Sequence, residues 1–378
     1  ARPSRGRDRS AANRRGAPRS GACRVGPSRY RPSAPVFRAR ATIIPCAVTH
    51  TPNLFIVGAP KSGTTSLYEY LKGHPQVFMS VVKEPCYFSA DLAFDHSGNF
   101  LVFERDAKLY DDLFAEAGDA RIIGEGSTRY LYSHDAARLI HAASPDARIV
   151  AMLRNPVDMI HSLHAHKLAA WTEDLDDFEA ALDAEADRVE GRQLPEFSNP
   201  KLSTYRDRAR YGEQLPRWFD EFGRDRVKVI IFEDFVRDPA NGFRSLLEFL
   251  GIDADYAPES FSAYNSAHGA RSRLMRRVLN GRFPQWLVWG LLPKVIGDTR
   301  TRGLVRGFRH SWFHRKPITR GKLTPELRRR LEDDFAPDVA RLSSLLGRDM
   351  SELWFGRPLG ASAGAAPEPT GAEAVSAD

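Results

Sequence analysis

Two short stretches of this 378-residue chain place chemically able side chains at telling intervals. The first is Gly58-Ala59-Pro60-Lys61-Ser62-Gly63-Thr64-Thr65, which follows the apolar run Leu54-Phe55-Ile56-Val57 and leads into a helix-forming sequence. A glycine-bearing turn from strand to helix presents outward-pointing N–H groups and the positive end of a helix dipole, which together cradle a phosphate-like anion. The order nearly reproduces the Gly-x4-Gly-Lys-Ser/Thr loop that grips nucleoside triphosphates, with a hydroxyl at Thr65. Thr64, however, takes the lysine position, and Lys61 stands two residues before Gly63. The second stretch is Arg154-Asn155-Pro156-Val157-Asp158-Met159-Ile160-His161-Ser162, after the apolar run that ends at Met152-Leu153. A guanidinium leaving a strand tip can fork onto a phosphate, and Ser162, two helical turns on, can donate a hydroxyl to the same group.

Elements must hold these groups. Val/Ile-rich runs at 54–58, 121–124, 148–153 and 227–232 alternate with helical patterns at 64–73, 133–143, 207–222, 241–250 and 324–346. Another helix is predicted to start at Asn155 as N-cap, with Pro156 in its first position. Such alternation predicts an α/β fold: a P-loop-like three-layer sandwich with a central parallel sheet of four to five strands flanked by helices. Ligands of such sheets sit beyond the carboxyl ends of the strands, where both stretches fall.

The Pro-Lys-Ser-Gly-Thr-Thr loop resembles the 5′-phosphosulfate loop of sulfotransferases that use 3′-phosphoadenosine 5′-phosphosulfate (PAPS). Arg154 and Ser162 resemble that family's 3′-phosphate clasp, with the same eight-residue spacing. The resemblance covers about residues 53–355 and implies PAPS as co-substrate, with no metal. Lys61, Ser62, Gly63, Thr64, Thr65, Arg154 and Ser162 would be its contacts. Lys61 would follow the charge growing on the bridging oxygen as the sulfuryl group leaves. In Lys83-Glu84-Pro85-Cys86-Tyr87-Phe88 the resemblance to heparan-type enzymes implies Glu84 as catalytic base, with Lys83 beside it orienting the acceptor; His74 and His134 are rival bases. It also implies that Tyr211, in Tyr-Gly-Glu-Gln-Leu-Pro-Arg-Trp, meets the adenine. Arg315 and Lys316 fall where the family has a loop closing over the phosphates, with Pro317 in place of the usual glycine. Gly126 stands where the family favours a lysine, with Arg129 nearby.

Charge is uneven. The first fifty residues hold twelve arginines and one acid, Asp8, so the rest of the chain is slightly acidic although the whole carries +7. A fold that grips nucleic acid carries its basic excess on folded elements, so no nucleic-acid partner is expected. Residues 1–50 read as an unstructured Arg-rich segment: an organelle transit peptide, a basic arm, or sequence upstream of the true start. A sulfotransferase domain is expected over 51–357 and a disordered tail over 358–378. Two of the three cysteines lie in the first fifty residues, leaving Cys86 alone; this fits a reducing, cytoplasmic setting, or an organelle stroma or matrix if the segment is a transit peptide.

Residues 271–320 hold thirteen Lys or Arg and one acid, Asp298, interleaved with Trp286, Trp289 and Trp312. Such a stretch suits a lid over the phosphates, a lipid-linked acceptor or peripheral membrane contact. The acceptor itself, a hydroxyl or amine on a carbohydrate, glycolipid or small metabolite, is not written in any motif. Two rival functions remain at this stage: a P-loop-type kinase using ATP and Mg²⁺, and a non-catalytic nucleotide- or membrane-binding module. The acids Glu233 and Asp234 superficially resemble a metal-binding strand end, but read as a strand terminus.

Overall fold

The computed structural model describes residues 51–93, 106–170, 172–195, 198–261, 321 and 323–358, with the backbone of 268–269 and 316–317. The chain enters at β1 (Leu54–Gly58), turns into α1 (Thr64–Lys72) and returns through β2 (Val77–Met79). It continues through α2 (Ala107–Asp111), β3 (Ile122–Gly126), α3 (Arg129–Tyr132), α4 (Ala136–Ala143), β4 (Arg148–Leu153) and α5 (Pro156–Ala169). After the short helices α6 (Phe178–Asp183) and α7 (Glu185–Val189) come α8 (Tyr211–Phe222), β5 (Val227–Ile231), α9 (Phe232–Arg237) and α10 (Pro239–Leu250). A two-residue pair, β6 (His268–Gly269) with β7 (Lys316–Pro317), precedes α11 (Pro325–Leu346) and α12 (Met350–Phe355).

Five strands form one parallel sheet in the order β2-β3-β1-β4-β5, as the alternation predicted. Strand periodicity sorts the core into two faces. Phe55 and Val57 of β1, with Ile149, Ala151 and Leu153 of β4, pack against α5, α8 and α11 through Val157, Leu215, Trp218, Leu331 and Phe335. Leu54, Ile56, Val150 and Met152 point the other way, onto Leu67 and Leu71 of α1 and Phe243, Leu246 and Leu247 of α10. Both faces are covered, which is why the strands read as nearly unbroken apolar runs.

Caps fix the helix ends. Asn155 caps α5, its side-chain oxygen accepting from the Val157 and Asp158 amides at 3.0 and 3.3 Å. Asp338 on α11 accepts the Gly212 and Glu213 amides at 2.9 and 3.0 Å, joining two helices. Gly212 permits that approach, since a Cβ there would lie 2.4 Å from the Asp338 carbonyl oxygen. Among the described residues no helix is long and apolar enough to cross a membrane.

Some elements differ from expectation. The helix expected over 133–143 begins at Ala136, because the Ser133 hydroxyl accepts from the Asp135 and Ala136 amides and closes a turn first. The helix expected from 207 splits into a 3-10 turn, Arg206–Ala209, and α8, because Arg210 is non-helical. Residues 232–234 are not a strand terminus: they open α9, where Glu233 accepts from the Asn155 amide at 3.0 Å and from Trp354 Nε1 at 3.1 Å. Asp234 pairs with Arg348, so both acids brace the fold.

Candidate active site

β1 lies between β3 and β4, so three connections leave neighbouring carboxyl ends of the sheet. The chain reverses its direction of strand addition here, which is where open α/β sheets form their crevice.

In the β1 connection Lys61 adopts a left-handed backbone, φ 59°, and Gly63 follows at φ 85° as the residue before α1. Left-handed conformations cost a side-chain-bearing residue energy and cluster at functional sites. At Gly63 a Cβ would also crowd the Phe232 ring at 3.1 Å, so sterics and backbone both select glycine. The side chains of Ser62 and Thr64 are buried, with the Ser62 hydroxyl donating to the Pro60 carbonyl at 3.3 Å. Lys61, Gly63 and Thr65 remain partly exposed. No side chain caps α1, which leaves its leading turn suited to an anion.

Arg154 stands at the tip of β4, as its position after the apolar run implied. Its Nη1 donates to the Lys61 carbonyl at 3.1 Å, and its guanidinium lies 4.9 Å from the centroid of the Phe232 ring. The Phe232 ring therefore lies against both Gly63 and Arg154, holding the two segments in one register. Ser162 is buried on α5.

The third segment follows β2. Glu84 also has a left-handed backbone, φ 62°, and its amide donates to the Gly126 carbonyl at 2.9 Å. Its carboxylate accepts from the Thr128 amide at 2.8 Å, the Thr128 hydroxyl at 3.1 Å and Lys83 Nζ at 2.9 Å. Desolvation pushes the carboxyl up, but the Lys83 charge and the Lys83 and Thr128 donors more than offset it and hold Glu84 below the usual carboxylate range. Its side chain keeps 36% of its surface open, against 20% for Lys83, so an acceptor can reach it.

Further cations surround this carboxylate. Arg208 is buried, and its Nε has no hydrogen-bond partner. Burial and the like charge of Arg129 lower its pKa, whereas Glu84 opposes them. His166 lies at the same place: enclosure by protein and the charges of Lys61 and Arg208 lower its pKa, and Glu84 raises it. Its ring is exposed, so solvent reduces the size of that shift without changing its direction. Thr128, Arg208 and His166 are absent from the sequence reading. Thr128 was discoverable as the second residue beyond the end of β3, and His166 as the residue one turn after Ser162; Arg208 carried no local signal.

Other expected residues fall elsewhere. Tyr211 is fully buried at the start of α8, its ring edge-on to that of Trp354 at 6.1 Å. Arg315 lies outside the described residues. Lys316 is described only by its backbone, which pairs with Gly269. His74 is buried, with Nδ1 accepting from the Gln76 amide at 3.1 Å and Nε2 3.0 Å from the Asp253 carbonyl oxygen, a loop-bracing role. At Gly126 a Cβ would lie 3.3 Å from the Tyr68 ring, a close contact from which the ring would have to give slightly. Among the described residues no group of three or more His, Cys, Asp or Glu could hold a metal ion.

Comparison with known proteins agrees with this geometry. The chain is similar to a sulfotransferase from Alicyclobacillus acidocaldarius, with TM-score 0.60 and 31% identity over 81% of this chain and all of that one. It is 26% identical over 322 residues to human heparan sulfate glucosamine 3-O-sulfotransferase 6, covering 84% of this chain and 80% of that protein. It is 24% identical over 318 residues to a Caenorhabditis briggsae bifunctional heparan sulfate N-deacetylase/N-sulfotransferase 1, covering 82% of this chain but only 31% of the relative. Residues 51–267 match the family described as Sulfotransferase domain. The chain therefore belongs to the sulfotransferase family.

Proposed function

We propose that this chain moves a sulfuryl group from PAPS to a hydroxyl or amine of a carbohydrate acceptor, releasing adenosine 3′,5′-bisphosphate. The observation that carries the reading is the bond from Arg154 to the Lys61 carbonyl, which couples two anion-binding segments beside an exposed carboxylate. Two such segments suit a nucleotide with phosphate groups at both its 5′ and 3′ positions, and family membership sets the kinase alternative aside.

When bound, PAPS supplies the sulfuryl group. Residues Lys61 to Thr65 would hold its phosphosulfate end, and Arg154 with Ser162 its 3′-phosphate. Lys61 balances charge on the departing phosphate oxygen. Glu84, kept ionised by Lys83 and Thr128, takes the acceptor's proton. Arg208, with an unpartnered buried Nε, and Arg129, whose charge acts on it, favour an acceptor that brings its own negative charge. Carbohydrate is the class favoured by the similarity to the heparan sulfate enzymes. A glycolipid or charged small metabolite offers the same chemistry. A reducing, cytoplasmic setting, or an organelle stroma or matrix, is proposed with it, in keeping with the single cysteine beyond residue 50.

Calorimetry tests the donor. Adenosine 3′,5′-bisphosphate should bind at least tenfold more tightly than ATP–Mg²⁺; preference for ATP would overturn the reading. Incubation with labelled PAPS and a polysaccharide extract, followed by identification of the sulfated product, tests the acceptor.

A further inference from the structure

Behind Glu84 lies a second carboxylate that the proposed chemistry never touches. Glu125, near the end of β3, is completely buried. Its Oε1 accepts from the hydroxyls of Tyr110 at 2.9 Å and Tyr130 at 2.8 Å, and its Oε2 accepts from the Ser127 hydroxyl at 3.0 Å. Above about pH 7, where Glu125 is ionised, its carboxylate only accepts, so each of these hydroxyls turns its single proton toward Glu125 and its lone pairs away. Two of those lone pairs meet backbone of the Glu84 segment: Ser127 Oγ accepts from the Cys86 amide at 3.0 Å, and Tyr130 Oη accepts from the Phe88 amide at 3.3 Å.

The segment so gripped is strained. Glu84 and Cys86 both carry left-handed backbones, φ 62° and 57°, two residues apart in a stretch without glycine. Such conformations persist only where surrounding bonds over-determine them. Here the Gly126 carbonyl takes the Glu84 amide, Ser127 takes that of Cys86, and Tyr130 takes that of Phe88. Rings complete the clamp, with Tyr87 stacked on Tyr110 at 4.3 Å and Phe88 edge-on to Tyr110 at 5.5 Å.

We propose that Glu125 is a positioning residue for Glu84, orienting the Ser127 and Tyr130 hydroxyls so that they fix the backbone of Cys86 and Phe88 and hold the Glu84 carboxylate at the cleft. This rests on the proposed role of Glu84 as base. A glutamine at 125 has the same shape but cannot serve all three hydroxyls: whichever end its NH₂ takes, at least one hydroxyl must reverse.

Amide hydrogen exchange on the full chain, with adenosine 3′,5′-bisphosphate bound, tests the relay without any acceptor. In Glu125→Gln, the Cys86 amide or the Phe88 amide, whichever is held by the hydroxyl that faces the new NH₂, should exchange at least tenfold faster while those of β1 and β4 keep their rates. Ser127→Ala should expose Cys86 alone and Tyr130→Phe should expose Phe88 alone, which keeps the test decisive if Glu125→Gln folds poorly. With a heparosan oligosaccharide as probe acceptor, Glu125→Gln should lower kcat about tenfold or more and leave the KM for PAPS within twofold. Unchanged exchange at Cys86 and Phe88 in all three variants overturns the inference, as does an even rise in exchange across β1 and β4. Glu84→Gln run in parallel separates the two ideas: undiminished turnover there removes Glu84 as base, whatever the exchange shows.

Discussion

Arg154 donates from Nη1 to the main-chain carbonyl of Lys61 at 3.1 Å, so the tip of β4 is fastened to the backbone of the residue proposed to stabilise the leaving group. This bond uses one of the five N–H groups that a guanidinium carries. Arg154→Ala should weaken binding of adenosine 3′,5′-bisphosphate by about 10- to 100-fold, the scale of a charged hydrogen bond of roughly 1.5–3 kcal/mol. Adenosine 5′-phosphate, lacking the 3′ group, should lose far less. Calorimetry with both nucleotides decides it, and equal losses would mean that Arg154 serves only the loop.

Lys61→Ala removes the ammonium from a backbone that is already left-handed. Turnover should fall by about 10²–10³, the cost of losing one preorganised donor to developing charge, with nucleotide affinity changing much less. Single-turnover kinetics with labelled PAPS would show the split between kcat and binding.

Glu84 is held below its ordinary pKa of 4.5, so its base form persists through the neutral range. The acid limb of the kcat profile should therefore lie below pH 4.5 and vanish with the activity in Glu84→Gln. A depressed folded-state pKa also means that its contribution to stability is full above 4.5 and fades as pH drops through the folded value. A limb near pH 6–7 would point to another base.

Two buried carboxyls titrate the other way. Burial raises Glu125 to about 7, against the pull of the Tyr130, Tyr110 and Ser127 hydroxyls, and raises Asp338 to about 6, against the pull of the Gly212 amide. Groups whose folded pKa exceeds the unfolded value stabilise the fold below the unfolded pKa and lose that contribution as pH climbs through the folded one. Tm should therefore decline between about pH 4.5 and 7, with each group accounting for on the order of 3 kcal/mol. Glu125→Gln should flatten the upper half of that decline in a pH series of thermal melts.

Arg188 and Glu173 form a fully buried pair at 2.6 Å, and the Glu173 carboxylate also accepts from the Tyr205 hydroxyl at 2.5 Å. Removing one partner strands the other charge, which costs roughly 3–5 kcal/mol. Arg188→Ala should lower the urea midpoint accordingly, while Arg188→Ala with Glu173→Leu should recover part of the loss.

Legibility followed the physics of each residue. The Lys61 loop, Arg154 and the Asn155 cap are local devices, set by neighbours within a few positions, and their places in the chain were readable. β2 is only three residues long, too short for an alternating pattern to declare itself. Tyr211 sits at the start of an amphipathic helix, where sequence gives periodicity but not the distant partner its ring meets, Trp354. Thr128 joins Glu84 from just past the end of β3, a place the strand pattern marks, whereas Arg208 acts on it from a part of the chain that no local spacing points to. Arg315 and the basic stretch around it lie outside the described residues.

The order β3-β1-β4 has a bearing on engineering. Neighbouring strands of a sheet keep a separation of about 4.8 Å, so the gauge between the Glu84 anchor on β3 and the Arg154 tip on β4 is set by hydrogen-bonded backbone, not by loops. The groups proposed for donor handling and proton removal then form a fixed chassis, around which an exposed turn such as 190–192 can be changed without touching it. Substitutions confined to such turns should leave the nucleotide affinity of the parent intact.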